Sequence, residues 1–181
     1  CHYNFRFVTD YSGGDVTNWG AHYLDMAQWG IGADDSGPVE IEGTGKRHGP
    51  GTIHDCFFDV DVRMRYAGGV ELRLRSGGKG CKFIGTEGSL PGDLAPGASD
   101  KIGPGDIRLH RAHGGHMGSW FHGIRTRQDP SAPVEVGHRS STVCHLANIA
   151  MTLKRPLKWD PEAERFVGDE EANRMTWRPY R

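Results

Sequence analysis

The side chains whose types and spacing could do chemistry are Asn18, His22 and Asp25, which with Trp29 stand at i, i+4, i+7 and i+11. In a helix that spacing puts all four on one face. An imidazole flanked by an amide and a carboxylate suits general acid–base work, because its charge changes near neutral pH. The same set also suits a structural histidine whose nitrogens are satisfied inside a core. Taken alone, the stripe divides evenly between the two readings.

The element that must position the stripe opens on the glycine turn Gly13-Gly14 and runs about three helical turns to Trp29. Ala21, Leu24, Met26 and Ala27 occupy its other directions, so it reads as a buried helix, and Gly30 and Gly32 read as its C-terminal stop. Before it, Tyr3, Phe5, Phe7 and Tyr11 mark an extended lead-in. After it, Val39 to Glu42 reads as a short strand, followed by a glycine-rich, basic loop to about Asp55.

The clearest strand signal comes next. Phe58, Val60, Val62, Met64 and Tyr66 alternate with charged residues, as do Val70, Leu72 and Leu74. A three-residue loop, Ala67-Gly68-Gly69, pairs Tyr66 with Val70, Arg65 with Glu71, Met64 with Leu72 and Asp61 with Arg75, keeping one face apolar; it requires Gly69 in the left-handed region. Lys82 to Gly85, Ser89-Leu90 and Ile107 to Leu109 read as further short strands. Met117, Trp120, Phe121 and Ile124 mark a helix, and a second starts near Gly137 with Val143, Leu146, Ala147, Ala150 and Leu153 on its apolar face. Leu157 to Trp159 reads as a return to the sheet and residues 160–181 as a polar tail. The segregation of strands from helices predicts an α+β fold, an open, largely antiparallel or mixed sheet with helices on one face, within a single domain over residues 1–181.

Composition narrows the function. With 22 basic and 23 acidic side chains, well mixed, and a net charge of -1, nothing marks a nucleic-acid or anionic-membrane partner. No apolar run approaches the ~20 residues that span a bilayer. Cys1, Cys56, Cys81 and Cys144 form no Cys-x-x-Cys, and His110, His113 and His116 lie in a glycine loop with no completing ligand, so no metal is expected. The dinucleotide fingerprint, the phosphate-binding loop and the serine nucleophile elbow are missing from the sequence. The start at Cys1 is neither a signal peptide nor an initiating methionine and reads as part of a longer chain. Location is then cytoplasmic by default, or periplasmic if an export signal lies upstream.

The stretch Gly13-Gly14-x-Val16-x-Asn18-x-Gly20-x-His22-x-x-Asp25-x-x-x-Trp29 resembles a segment of the glucose-fructose oxidoreductase, inositol dehydrogenase and rhizopine-catabolism (Gfo/Idh/MocA) family. Phe83 to Ser89 is similar to that family's Gly-Thr-Glu-Gly turn, and Phe121 to Arg127 with Pro133 to Arg139 is similar to its late helix pair. The resemblance implies the C-terminal, substrate-side domain of an NAD(P)-dependent oxidoreductase acting on a sugar, sugar derivative or cyclitol. A Rossmann domain upstream would hold NAD or NADP, the fragment alone would be inactive, and the sheet face would support a homo-oligomer. By the same resemblance His22 is the acid/base, helped by Asn18, which stands where many members carry aspartate. An amide can orient imidazole but cannot relay a proton. Asp25 would hold a substrate hydroxyl or anchor the helix, and Arg6 would point at substrate. The alternatives are a non-redox carbohydrate-binding or assembly domain, or a sugar lyase or hydratase using transient oxidation.

Overall fold

The computed structural model describes residues 2–78, 80–91 and 114–178. In chain order the elements are α1 (Trp19–Gly30), β1 (Glu40–Arg47), β2 (Phe57–Arg65), β3 (Glu71–Arg75), β4 (Lys82–Gly85), β5 (Gly88–Pro91), α2 (Gly115–Thr126), α3 (Val134–Leu153), β6 (Leu157–Asp160), β7 (Arg165–Phe166) and α4 (Glu170–Arg174), with short 3-10 turns at Asn4–Phe7 and Gly14–Val16. The chain divides into two compact units, residues 1–79 with 139–181, and residues 80–138.

In the first unit a five-stranded sheet runs in the order β3-β2-β1-β6-β7. Every neighbouring pair in it is antiparallel, as the α+β reading expects. The β2–β3 hairpin has the register that charge pairing predicts, with Asp61 opposite Arg75, Met64 opposite Leu72 and Arg65 opposite Glu71. Tyr66 N–H donates to Val70 O at 2.9 Å, and Gly69 has φ +82°, a conformation glycine adopts without steric cost.

The two sheet faces differ as the alternation requires. Ile41, Val60, Val62 and Met64 pack with Leu24 of α1 and with Val143, Leu146, Ala147 and Ala150 of α3 in one core. On the other face Arg65 meets Glu40 at 3.0 Å, Arg63 meets Glu42 at 3.4 Å, and Arg73 meets Asp61 at 2.7 Å. These pairs are half-exposed, so each contributes at most about 1 kcal/mol.

Four expectations are corrected here. The basic glycine stretch after Glu42 is strand, because β1 continues to Arg47; a Cβ on Gly43 would stand 2.8 Å from Val62 Cγ2, and one on Gly45 2.8 Å from Met151 Sδ. Glycine is what lets these neighbours approach. Phe58 is not on the buried face. A register shift between Thr44 and Lys46, with Asp59 at φ 50°, inverts the alternation there, so Phe57 is buried and Phe58 stacks on His48 with centroids 4.3 Å apart. Helix α3 begins at Val134 rather than near Gly137.

The polar tail is also part of the core fold. Phe166 of β7 is fully buried against Trp159 of β6, ring centroids 4.9 Å apart. Asn173 of α4 gives Phe166 its outer strand bonds, accepting from Phe166 N–H at 2.7 Å and donating to Phe166 O at 3.0 Å.

The second unit contains the antiparallel β4–β5 pair, Phe83 opposite Leu90 and Gly85 opposite Gly88, and helix α2, which forms where its apolar period places it. The strand read at Ile107 to Leu109, and His110 and His113, lie outside the described residues, as does Cys1.

Candidate active site on helix α1

Helix α1 starts later than a helix running straight out of the glycine turn would. Gly13 and Gly14 lead into a 3-10 turn, and Asn18 is the residue that caps α1, its side chain making no capping bond. The turn depends on both glycines. Gly14 has φ +73°, and a Cβ there would stand 2.6 Å from Cys56 Cβ; one on Gly13 would meet Thr17 Cγ2 at 2.3 Å and Asn148 Nδ2 at 2.7 Å.

Three anchors then set the helix. In the turn that leads into it, Asn148 Nδ2 of α3 donates to Gly13 O at 3.0 Å. In the middle, Ser140 Oγ of α3 donates to Asp25 Oδ1 at 2.6 Å. At the end, buried Gln28 donates from Nε2 to Ala33 O and Ser36 O at 2.9 and 3.1 Å and accepts from the Tyr66 hydroxyl. Ala33 N–H returns to Gln28 O at 2.9 Å and Gly32 N–H to Trp29 O at 3.1 Å, with Gly32 at φ +68°, a Schellman stop at the glycine that the sequence marks.

These anchors decide which way the stripe faces. Gly20, Leu24, Ala27 and Gln28 are the buried residues of α1, while His22, Asp25 and Trp29 are exposed and Asn18 is half-buried. The core-histidine reading is therefore overturned. Among the described residues, no hydrogen bond holds the His22 ring or joins it to Asn18. Its ring neighbour is Trp19, one turn earlier, with centroids 5.8 Å apart and planes at 53°.

Asp25 is committed to Ser140, so it acts first as the helix anchor. Arg6 lies in the 3-10 turn of the N-terminal segment, its guanidinium 4.5 Å over the Tyr3 ring and 3.4 Å from Tyr3 O; it is not brought to the stripe. Sequence reasoning missed Ser140, Asn148 and Gln28, the residues that aim α1. Each is a polar side chain on the core side of a helix, and that position is their only signal in the sequence. Beneath the site, burial pushes the Cys144 thiol up to about 12, and burial likewise raises Cys56. Both are inert packing thiols rather than nucleophiles.

All 181 residues match the profile of the oxidoreductase family, C-terminal alpha/beta domain. The chain belongs to this family. This oxidoreductase-family domain is similar in fold to a candidate myo-inositol dehydrogenase from Sinorhizobium meliloti 1021, at 14% identity and a TM-score of 0.45, over 82% of this chain and 50% of that one. It is similar also to a protein from Thermotoga maritima described as a dehydrogenase, at 12% identity and a TM-score of 0.47, over 87% of this chain and 52% of the other. The domain thus spans about half the length of these solved structures. No curated protein matches it.

A nicotinamide dinucleotide needs amide groups for its diphosphate and a reacting edge for its ring. The glycine turn does not offer the first: Gly13 N–H donates to Thr17 Oγ1 at 3.1 Å, and Gly14 O takes the N–H groups of Thr17 and Asn18. The outward face of α1 leaves the His22 imidazole exposed. No helix is long and apolar enough to cross a membrane among the described residues.

Proposed function

We propose that this domain is the substrate side of an NAD(P)-dependent oxidoreductase acting on a sugar, sugar derivative or cyclitol, with His22 as the acid/base. The observation that carries the reading is the outward, unengaged His22 on a helix held at three points in a domain of an oxidoreductase family. An imidazole whose nitrogens make no internal bond is available to a substrate hydroxyl. When bound, the nicotinamide supplies hydride acceptance. The chain's own part is to take the hydroxyl proton onto the imidazole and to keep that imidazole in place. The residues that hold the dinucleotide's diphosphate belong, in this reading, to a Rossmann domain upstream.

Asn18 lies one turn before His22 and fits the role of a substrate-orienting amide, since it can donate and accept but not titrate. Asp25 positions the helix through Ser140. In the full-length protein His22→Ala is expected to lower turnover about 10²- to 10⁴-fold while cofactor binding survives. Unchanged turnover sinks the assignment.

A second reading, a non-redox carbohydrate-binding or assembly domain, draws on the lack of any bond between Asn18 and His22. It predicts sugar binding without NAD(P)H formation across a sugar panel. For assembly, we propose that copies associate through the charged outer face of the sheet, where both signs alternate. Light scattering would then report an oligomer in the wild type and a smaller species on replacing Arg63 and Arg65 by Glu; an unchanged mass rejects this surface.

A further inference from the structure

We propose that Trp19 is the platform on which the C–H face of a cyclic polyol rests while one of its ring hydroxyls meets His22. This rests on the reading of His22 as the acid/base and adds the side chain against which the ring of such a substrate lies. Trp19 is the first residue of α1 and 64% exposed, although an indole is among the largest apolar surfaces a side chain can bury. It stands three residues before His22, and their ring centroids lie 5.8 Å apart with planes tilted by 53°. The two rings therefore line one corner, an apolar plane on one side and a hydrogen-bonding imidazole on the other.

A ligand matching that corner must itself be two-sided, with an apolar face and hydroxyls around it. A cyclic polyol has this shape, with ring C–H bonds on one face and hydroxyls at the rim. The polarised C–H bonds meet the negative face of the indole, and the indole N–H remains as a donor at the platform's edge. Trp29, the other exposed tryptophan of α1, stands seven residues beyond His22, about 10 Å along the helix axis, and is too far to share the corner.

The test is calorimetric titration of myo-inositol and of D-glucose into the full-length protein saturated with NAD+, for wild type, Trp19→Ala and Trp19→Phe. At least one probe is expected to bind the wild type. Trp19→Ala should weaken it about tenfold or more, and Trp19→Phe should restore most of the loss. NAD+ affinity and Tm should stay at wild-type values in both variants. In turnover, Trp19→Ala should raise KM with kcat little changed, the mark of lost uniform binding. Unchanged affinity in Trp19→Ala overturns the platform, as does failure of the wild type to bind either ring. A loss of Tm and NAD+ affinity together, not rescued by Phe, overturns it in favour of an internal packing role. The His22 reading is judged separately: if Trp19 governs ring binding while His22→Ala leaves turnover intact, the platform stands and the acid/base assignment fails.

Discussion

The Ser140 hydroxyl donates to the Asp25 carboxylate at 2.6 Å, joining α3 to α1 across 115 positions of sequence. Ser140 is buried, and its bond is made to a charged group three residues beyond His22. The bond therefore fixes the rotation of α1 about its axis, which sets where the imidazole points.

Ser140→Ala is expected to destabilise the protein by about 1.5–3 kcal/mol, the range for a hydrogen bond to a charged group. At about 2–4 °C per kcal/mol for a chain of this size, thermal melts resolve the change easily. Turnover should fall by less than in His22→Ala, since the imidazole remains. If Asp25 instead served substrate alone, Ser140→Ala would leave Tm unmoved.

Two glycines that flank α1 have similar φ but different surroundings. Gly14 at φ +73° would press a methyl to 2.6 Å from Cys56 Cβ, whereas Gly32 at φ +68° has nothing within 4 Å. Gly32→Ala should cost only the left-handed penalty, about 1–2 kcal/mol. Gly14→Ala adds overpacking, for a total of about 2–5 kcal/mol. Urea unfolding of the two variants measures the difference, and equal costs would show that the Cys56 contact yields without strain.

Acid should act on the C-terminal segment through Asp169. This residue accepts from Ala172 N–H at 3.0 Å to cap α4, and it pairs with Arg155 through both guanidinium nitrogens. The Arg155 guanidinium first, and the Ala172 amide second, hold its carboxyl down at about 2, against about 3.9 in an unfolded chain. A depressed carboxyl pKa contributes stability that is complete above the unfolded value and lost as pH falls through the folded one. The Tm gap between wild type and Asp169→Asn, which keeps a capping oxygen but no charge, should be flat above about pH 5 and close between about pH 4 and 2. A gap constant down to pH 2 would mean that Asp169 acts as a cap alone.

Cys144 should resist chemistry until the fold opens. It is buried, bonds Ser140 O at 3.3 Å, and has its thiol pushed up to about 12. Iodoacetamide at pH 8 is expected to leave Cys144 unmodified in the native protein and to alkylate it in urea, where a free thiol returns to about 8.5. Peptide mapping by mass spectrometry reads the site directly. Rapid native labelling would contradict its place in the core.

Local rules were enough for several elements. The β2–β3 register followed from charge pairing around a loop whose third residue had to be glycine, because slipping it by one residue would move apolar side chains into water. The end of α1 followed from Gly32, and the existence of α1 and α2 from their period. The segment from Gly13 to Trp29 carries the oxidoreductase-family likeness in sequence alone.

Other features belong to tertiary structure. Phe57 and Phe58 are adjacent aromatics, and only the bulge opposite β1 decides which enters the core. The strand at Arg165–Phe166 is two residues long and has no period to read; it exists because Asn173 and β6 supply its bonds. The orientation of the His22 stripe is of the same kind. Periodicity placed Asn18, His22, Asp25 and Trp29 together but could not say which way they face, since polar groups can be satisfied by a core as well as by water. Ser140, Asn148 and Tyr66, all remote in sequence, turn Leu24 and Gln28 inward and so leave His22 facing out.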